Sequence, residues 1–273
     1  MGQAGLVIIE DKSPFKYGIN DVPLVISDKF LLEGRPAYAA THMDMVTGFL
    51  GDTVLVNGAV MPTFSMPQGT YKLRLVNASN ARLYNLALEG PRGLTPLKVV
   101  ATDQGAVERI VEAKAIFLAP AERVEVVVDL RPGTYVLKNL AFDPMHLEMG
   151  GMPMGGMPHG GMRPILGEGA EYKIAVIKVS GEKGEFIEPE LSEPPPPAGV
   201  DTRRRFVLAL RGMRWTINGM FWTNPLRPHV AAGAGSVEVW EITNDVNSMP
   251  HPMHLHGLPM WVLERRNSPP QVG

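Results

Sequence analysis

The chain has 273 residues, 45% of them hydrophobic, and 26 Lys and Arg against 28 Asp and Glu give a net charge of −2. This length is sufficient for two domains with sizeable cores, and the balanced charge argues against a nucleic-acid partner. No apolar run approaches the roughly 20 residues that cross a bilayer, and the N-terminus lacks the features of an export signal. The absence of cysteine excludes disulfides and thiolate metal ligands from this chain.

The pattern of apolar and turn residues predicts many short β-strands. The chain contains 29 glycines and 25 prolines, which interrupt it often enough to disfavour long helices. A short strand is predicted over residues 5–10 and a longer one over residues 22–32. Residues 53–56 are predicted to form a strand that ends in a tight turn at Asn57-Gly58, because both turn residues tolerate positive φ.

Residues 71–77 alternate between apolar side chains on one face and Lys72 and Arg74 on the other. This alternation is typical of a strand with one buried face. Further strands are predicted over residues 83–88, 97–101, 116–118, 123–130 and 134–140. A series of this kind, without long amphipathic helices, favours an all-β sandwich.

Residues 145–162 interleave methionine with glycine and proline. Methionine usually fills hydrophobic cores, but this segment has no periodic face to bury. The remaining interpretations are a flexible linker or a soft-metal site, since thioethers select Cu(I). The candidate Cu(I) segment contains Met145, His146, Met149, Met152, Met154, Met157, His159 and Met162.

A proline-rich stretch over residues 188–202 is predicted to be an extended linker and a domain boundary. Beyond it, strands are predicted over residues 206–210, 215–217, 236–244 and 258–264, with a turn at Asn218-Gly219 after the second of them. Residues 236–244 carry apolar side chains on both faces, which predicts a strand between two packed layers.

Three of the seven histidines fall within residues 251–257. Neutral imidazole is the commonest protein ligand for transition metals. On a β-strand His254 and His256 would project from the same face and reach one metal together, whereas His251, before Pro252, would point elsewhere. The spacing therefore predicts two metal sites and does not distinguish among zinc, copper, iron and nickel.

The sequence His-Pro-Met-His-Leu-His-Gly at residues 251–257 is similar to the His-Pro-x-His-Leu-His-Gly motif of multicopper oxidases, which include laccases and bacterial cuprous oxidases. Matching stretches occur in the family's order at residues 55–58, 74–82, 102–105, 118–123 and 237–244. The resemblance implies cupredoxin-like Greek-key β-sandwiches, one complete and one truncated. By the same resemblance, His251 looks like a type 1 copper ligand, His254 a type 2 ligand and His256 a type 3 ligand.

The resemblance also implies that the chain holds parts of three cupredoxin domains. Residues 1–12 would be the last strand of an absent first domain, and residues 13–187 the second domain with residues 145–162 as an insertion. Residues 188–202 would be the linker and residues 203–273 an incomplete third domain. The family's other His-x-His pairs and its His-Cys-His motif have no counterpart in this sequence.

The implied function is that of a portion of a copper-dependent oxidase, which couples one-electron oxidation of phenols, aromatic amines or Cu(I) to the reduction of dioxygen to water. Copper is the implied cofactor, and a periplasmic or secreted location is implied as well. This chain alone lacks the thiolate that a blue-copper site needs. Two alternatives stay open, a copper-sequestering protein without oxidase activity and a copper-free relative that serves in the cell envelope.

Overall fold

The computed structural model describes residues 3–9, 14–38, 40, 44, 48–103, 105–144, 166–191, 199–212, 214–221, 228–245, 251–258 and 260–268. Every element with defined bounds is a β-strand, which confirms the all-β class. The described residues form two compact units. Unit 1 comprises those of Met1–Pro144, Gly156–Pro194 and Leu255–Gly273, and unit 2 those of Pro195–His254. In these ranges no helix is long and apolar enough to cross a membrane.

Unit 1 contains a seven-stranded sheet and a six-stranded sheet. The seven strands are β1 (Asp21–Leu32), β2 (Arg35–Ala37), β3 (Thr53–Val56), β5 (Gly69–Asn77), β8 (Leu97–Thr102), β9 (Gly105–Ala113) and β11 (Arg123–Leu130). The six strands are β4 (Thr63–Pro67), β6 (Tyr84–Gly90), β7 (Gly93–Leu94), β10 (Ile116–Leu118), β12 (Gly133–Asn139) and β13 (Tyr172–Ser180). The first sheet has the order β2-β1-β5-β11-β8-β9 with β3 also on β1, and the second has the order β10-β6-β12-β13-β4 with β7 on β6.

The core of unit 1 consists of apolar side chains from both sheets. Alternate residues of β5 and β11, such as Leu73, Leu75 and Val126, are buried in one cluster with Leu137 and Ile177 of the second sheet. Because successive strand residues point to opposite faces, this alternation is what gives each strand one face for the core. The first sheet mixes directions, since β1 pairs parallel with β5 and antiparallel with β3.

The Asn57-Gly58 turn forms as predicted, with φ values of 50° and 81°. Val56 and Ala59 pair across it, each N–H donating to the carbonyl of the other at 2.9 Å and 3.0 Å, so the tight hairpin turn suggested by the dipeptide forms. Strands β3 and β4 on its two sides lie in different sheets, so the turn is also a corner of the sandwich. The Asn57 side chain fixes this corner to β1. Its Nδ2 donates to the carbonyl of Pro23 at 3.0 Å, and its Oδ1 accepts from the N–H of Val25 at 2.8 Å.

The polar face of β5 is covered, contrary to the prediction of a strand with only one buried face. Lys72 is buried and pairs with the buried Asp21 at 3.0 Å. Arg74 binds the same carboxylate at 2.6 Å and also pairs with Glu125. The ring of Phe15 lies 5.7 Å from the Lys72 ammonium. The alternation in the sequence shows which side chains are polar, but it does not show whether they are buried. Lys72 and Arg74 can be buried because carboxylates on the neighbouring strands offset their loss of hydration.

The start of the predicted linker packs on unit 1. The N–H of Thr70 donates to the carbonyl of Glu185 at 2.8 Å, and Ile187 and Leu191 contact a small buried cluster on the first sheet. Residues 188–191 therefore belong to the surface of unit 1, whereas the run of four prolines lies outside the described residues.

Unit 2 contains a three-stranded sheet of β14 (Thr202–Arg211), β15 (Arg214–Ile217) and β16 (Glu238–Asn244). Its arrangement repeats that of β3, β1 and β5 in unit 1. Leu208 of β14 is opposite Ile217 of β15, as Ile26 of β1 is opposite Val56 of β3. The parallel pairing of β14 with β16 likewise corresponds to that of β1 with β5. The two units thus share one strand pattern in the same register.

The turn after β15 also repeats its counterpart. Asn218 and Gly219 have φ values of 51° and 75°. The Oδ1 of Asn218 accepts from the N–H of Val207 at 2.7 Å, and its Nδ2 donates to the carbonyl of Arg205 at 3.0 Å. These are the same two bonds that Asn57 makes in unit 1. The predicted strand and turn at residues 215–219 are therefore confirmed.

The sheet of unit 2 is less covered than its counterpart. Ile242 of β16 is 37% exposed, whereas Leu75, at the equivalent position of β5, is 1% exposed. No residue of β16 is buried, so the prediction of a strand between two packed layers was wrong. The reason is that the described part of unit 2 holds a single sheet and therefore one layer.

Two further predicted strands are not found. Residues 5–9 and the described part of residues 258–264 form no strand. A strand forms only where a neighbour supplies hydrogen-bond partners, and no described strand pairs with either segment. The four-part division into cupredoxin domains stays a prediction.

Candidate metal centre

The three candidate metal ligands lie in a segment without regular structure. Residues 251–255 form no strand, and a turn follows at His256-Gly257, where Gly257 has a φ of 78°. The alternation that was expected to place His254 and His256 on one face of a strand is therefore absent. Both of these histidines are exposed.

His251 differs from the other two because its imidazole is half-buried. It packs against the indole of Trp215 with ring centroids 4.8 Å apart and an interplanar angle of 79°. Burial lowers the pKa of His251. Burial therefore favours the neutral ring, and only the neutral form has a lone pair for a metal.

The donor chemistry of these histidines fits copper, since imidazole is a ligand that copper accepts. Within the described ranges no group of three or more His, Cys, Asp or Glu side chains is placed to hold a metal ion. His251, His254 and His256 can therefore supply part of a ligand set, and the assignment of all three as copper ligands stays a prediction.

The candidate Cu(I) segment, residues 145–162, lies outside the described residues, but its flanks are described. The N–H of Phe142 donates to the carbonyl of Gly169 at 3.0 Å, and the Nδ2 of Asn139 donates to the carbonyl of Ala170 at 2.7 Å. These bonds hold the two flanks side by side at the ends of β12 and β13.

A buried ion pair holds the flank that follows the segment. The Nε of Arg82 donates to Asp28 at 3.0 Å, and its Nη2 donates to the carbonyls of Gly51 at 2.7 Å and Leu166 at 2.9 Å. Both ionised side chains are almost fully buried. In the sequence, Arg82 stands out only as the end of the family-like stretch at residues 74–82, and no local pattern marks an arginine as buried.

Replacing residues 145–165 with a Gly/Ser linker of about six residues is expected to leave unit 1 folded. The flanks are already held by their own hydrogen bonds, so the shorter connection should change the free energy of unfolding by only about 1 kcal/mol. Urea unfolding followed by circular dichroism measures this. Loss of the folded state would instead show that the segment is part of the sandwich.

A Cu(I) titration of both proteins then tests the sequestration alternative, which requires greater uptake by the unmodified chain.

In unit 2, Arg204 forms a two-bond ion pair with Glu238, at 2.7 Å and 2.9 Å. The indole Nε1 of Trp240 donates to the same carboxylate at 2.8 Å. The hydrogen bonds from Arg204 and Trp240 lower the pKa of Glu238 to about 2. This network joins β14 to β16.

The Arg204–Glu238 pair is expected to give unit 2 an acid-sensitive contribution to stability. Because the pKa is lowered on folding, the contribution is complete above the ordinary value of 4.5 and is lost as the pH falls towards about 2. The indole N–H resonance of Trp240 should titrate over the same interval, with its midpoint near the lower limit. Glu238→Gln is the control and should remove this titration, and a midpoint near 4.5 in the unmodified chain would contradict the prediction.

Two family models, both described as multicopper oxidase, match residues 11–148 and residues 195–272. The multicopper oxidase mco of Staphylococcus epidermidis is 31% identical over 96% of this chain and 51% of its own length. The cell division protein FtsP of Edwardsiella tarda is 31% identical over 99% of this chain and 56% of its own length.

A solved structure of a variant of the McoA multicopper oxidase from the hyperthermophile Aquifex aeolicus has a TM-score of 0.73 and 28% identity, covering 93% of this chain and 55% of that chain. The likeness confirms the prediction of cupredoxin-like sandwiches. The chain spans about half the length of these relatives. Since the two family models cover most of the sequence, including residues 251–257, the chain belongs to the multicopper oxidase family.

Proposed function

We propose that this chain carries part of the copper-binding apparatus of an oxidase that couples one-electron oxidation of a small reductant to the reduction of dioxygen to water. The observation that carries the proposal is the histidine stretch at residues 251–257 inside the matched multicopper oxidase region. The half-buried imidazole of His251 supports it, because burial favours the neutral form, which binds a transition metal without first losing a proton.

Each histidine has a distinct role in this proposal. His251 is a ligand of the type 1 copper that receives electrons, and His254 and His256 are ligands of the cluster that reduces dioxygen. Bound copper would accept and pass on single electrons. Since this chain has no cysteine, the type 1 thiolate has to come from outside these 273 residues.

We further propose that the reductant is a phenol, an aromatic amine or Cu(I). The methionine-rich composition of residues 145–162 favours Cu(I), because thioethers are ligands for that ion. A periplasmic or secreted location belongs to the same proposal, and cell fractionation with an antibody against the chain would test it.

Titration of the purified chain with Cu(II) tests the proposal directly. We expect His251→Ala, His254→Ala and His256→Ala each to weaken binding, by about tenfold or more, because each removes a metal ligand. Calorimetry gives the affinities, and electron paramagnetic resonance reports nitrogen ligation.

The matched control is His229→Ala, which removes an exposed histidine of unit 2 outside the motif and should leave the affinity unchanged. The proposal is wrong if the three motif variants bind Cu(II) as tightly as the unmodified chain. With a chemical reductant as the electron source, the copper-loaded chain alone should not consume dioxygen faster than a copper-loaded peptide of residues 251–257.

The similarity to a protein named for cell division favours a second candidate, a copper-free role in cell division. This role predicts no motif-dependent copper uptake. It also predicts that the chain restores normal cell length when produced in a strain that lacks FtsP, and that His251→Ala does so equally well.

A further inference from the structure

The indole of Trp215 lies edge-on to the imidazole of His251, with ring centroids 4.8 Å apart and an interplanar angle of 79°. Edge-to-face packing is a preferred arrangement of two aromatic rings and restrains their mutual rotation. We propose that Trp215 is a positioning residue that sets the orientation of the His251 imidazole towards copper. This inference rests on the proposed role of His251 as a copper ligand.

Trp215 is itself held firmly by the sheet. It lies on β15 opposite Leu210 of β14. The next residue, Thr216, is buried, and its hydroxyl donates to the carbonyl of Ala209 at 3.0 Å. The Asn218 side chain fixes the following turn by two hydrogen bonds to β14. The indole therefore projects from a backbone that is anchored on both sides.

His251 lies outside the strands. Residues 251–255 are not part of any sheet, so strand pairing does not determine where the imidazole points. A metal ligand must be held close to its productive orientation by the groups around it. The adjacent indole supplies one such restraint from a rigid part of the fold.

The corresponding position in unit 1 gives an internal comparison. Val54 of β3 is opposite Asp28 of β1, as Trp215 is opposite Leu210. Val54 packs against the core of unit 1. A valine is therefore sufficient for core packing at this position, and the larger aromatic side chain occurs in the unit where a histidine lies against it.

The test is a Cu(II) titration of the full chain in four variants: Trp215→Ala, Trp215→Phe, His251→Ala and the Trp215→Ala/His251→Ala double variant. We expect Trp215→Ala to weaken Cu(II) binding about two- to tenfold, the size of an aromatic pair. Trp215→Phe should restore most of the affinity, because the phenyl ring keeps the edge-on contact. In the His251→Ala background, Trp215→Ala should have no further effect.

Two readouts separate positioning from a general loss of structure. The copper hyperfine splitting in electron paramagnetic resonance should change in Trp215→Ala but not in Trp240→Phe, which alters another indole of the same sheet. In the metal-free protein, the ring-proton shifts of His251 should move in Trp215→Ala and not in Trp240→Phe, with the far-UV circular dichroism unchanged.

The outcomes distinguish this inference from the proposed function. If His251→Ala weakens Cu(II) binding but Trp215→Ala matches the unmodified chain in affinity and spectrum, the positioning role is wrong and the proposed function stands. If His251→Ala has no effect on binding, the proposed function fails, and the role of Trp215 towards copper fails with it.

Discussion

Replacing Arg82 with alanine is expected to lower the free energy of unfolding of unit 1 by about 3–5 kcal/mol. The substitution leaves the Asp28 carboxylate buried without its counter-charge, and it removes the donor shared by the Gly51 and Leu166 carbonyls. A buried charge without a partner costs more than the pair contributes, because desolvation is no longer offset. Urea unfolding followed by circular dichroism measures the change.

The control for this prediction is Arg266→Ala, which breaks an exposed ion pair with Glu264. Exposed pairs are solvated and flexible, so this change should stay within about 0.5 kcal/mol. If Arg82→Ala and Arg266→Ala gave similar losses, the buried ion pair would not be a stabilising element of the sandwich.

Leu75→Ala and Ile242→Ala are expected to differ strongly although they remove comparable side chains from equivalent strands. Leu75 is enclosed by both sheets of unit 1, and its truncation should cost about 2–5 kcal/mol through lost burial and a new cavity. Ile242 is partly exposed on the single sheet of unit 2, so its truncation should cost under about 1 kcal/mol.

Amide hydrogen exchange measured strand by strand would assign each loss to its own unit. Leu75→Ala should accelerate exchange in β5 and β11, and Ile242→Ala should act on β14 and β16. Equal costs for the two substitutions would mean that a second layer covers β16 in solution.

The parts of the fold that sequence reasoning predicted are those set by local chemistry. Strand β1 follows from its apolar residues, and the corners at Asn57 and Asn218 follow from residues that tolerate positive φ. The family resemblance of residues 251–257 also needed only the order of residue types. These features do not depend on what lies on the other side of a sheet.

The errors concern features decided by distant residues. From the sequence alone Lys72 is predicted to face solvent. In the fold it is paired with Asp21, which lies 51 positions earlier in the chain. Strand β16 was predicted to be buried on both faces because its apolar residues occur on both. Burial also requires a second layer packed on each face, and one strand's sequence does not show whether that layer exists. The contact of Trp215 with His251 joins residues 36 positions apart, and a single sequence carries no signal for that pair.

The two asparagine corners have a consequence for the order of folding. Asn57 reaches Val25 across 32 residues, whereas Asn218 reaches Val207 across 11. Closing the longer loop costs about 1 kcal/mol more chain entropy for the same bonds. The corner at Asn218 can therefore close before the corner at Asn57. Of the two corners, the one that forms first should thus belong to the sheet of unit 2, which is the less buried sheet.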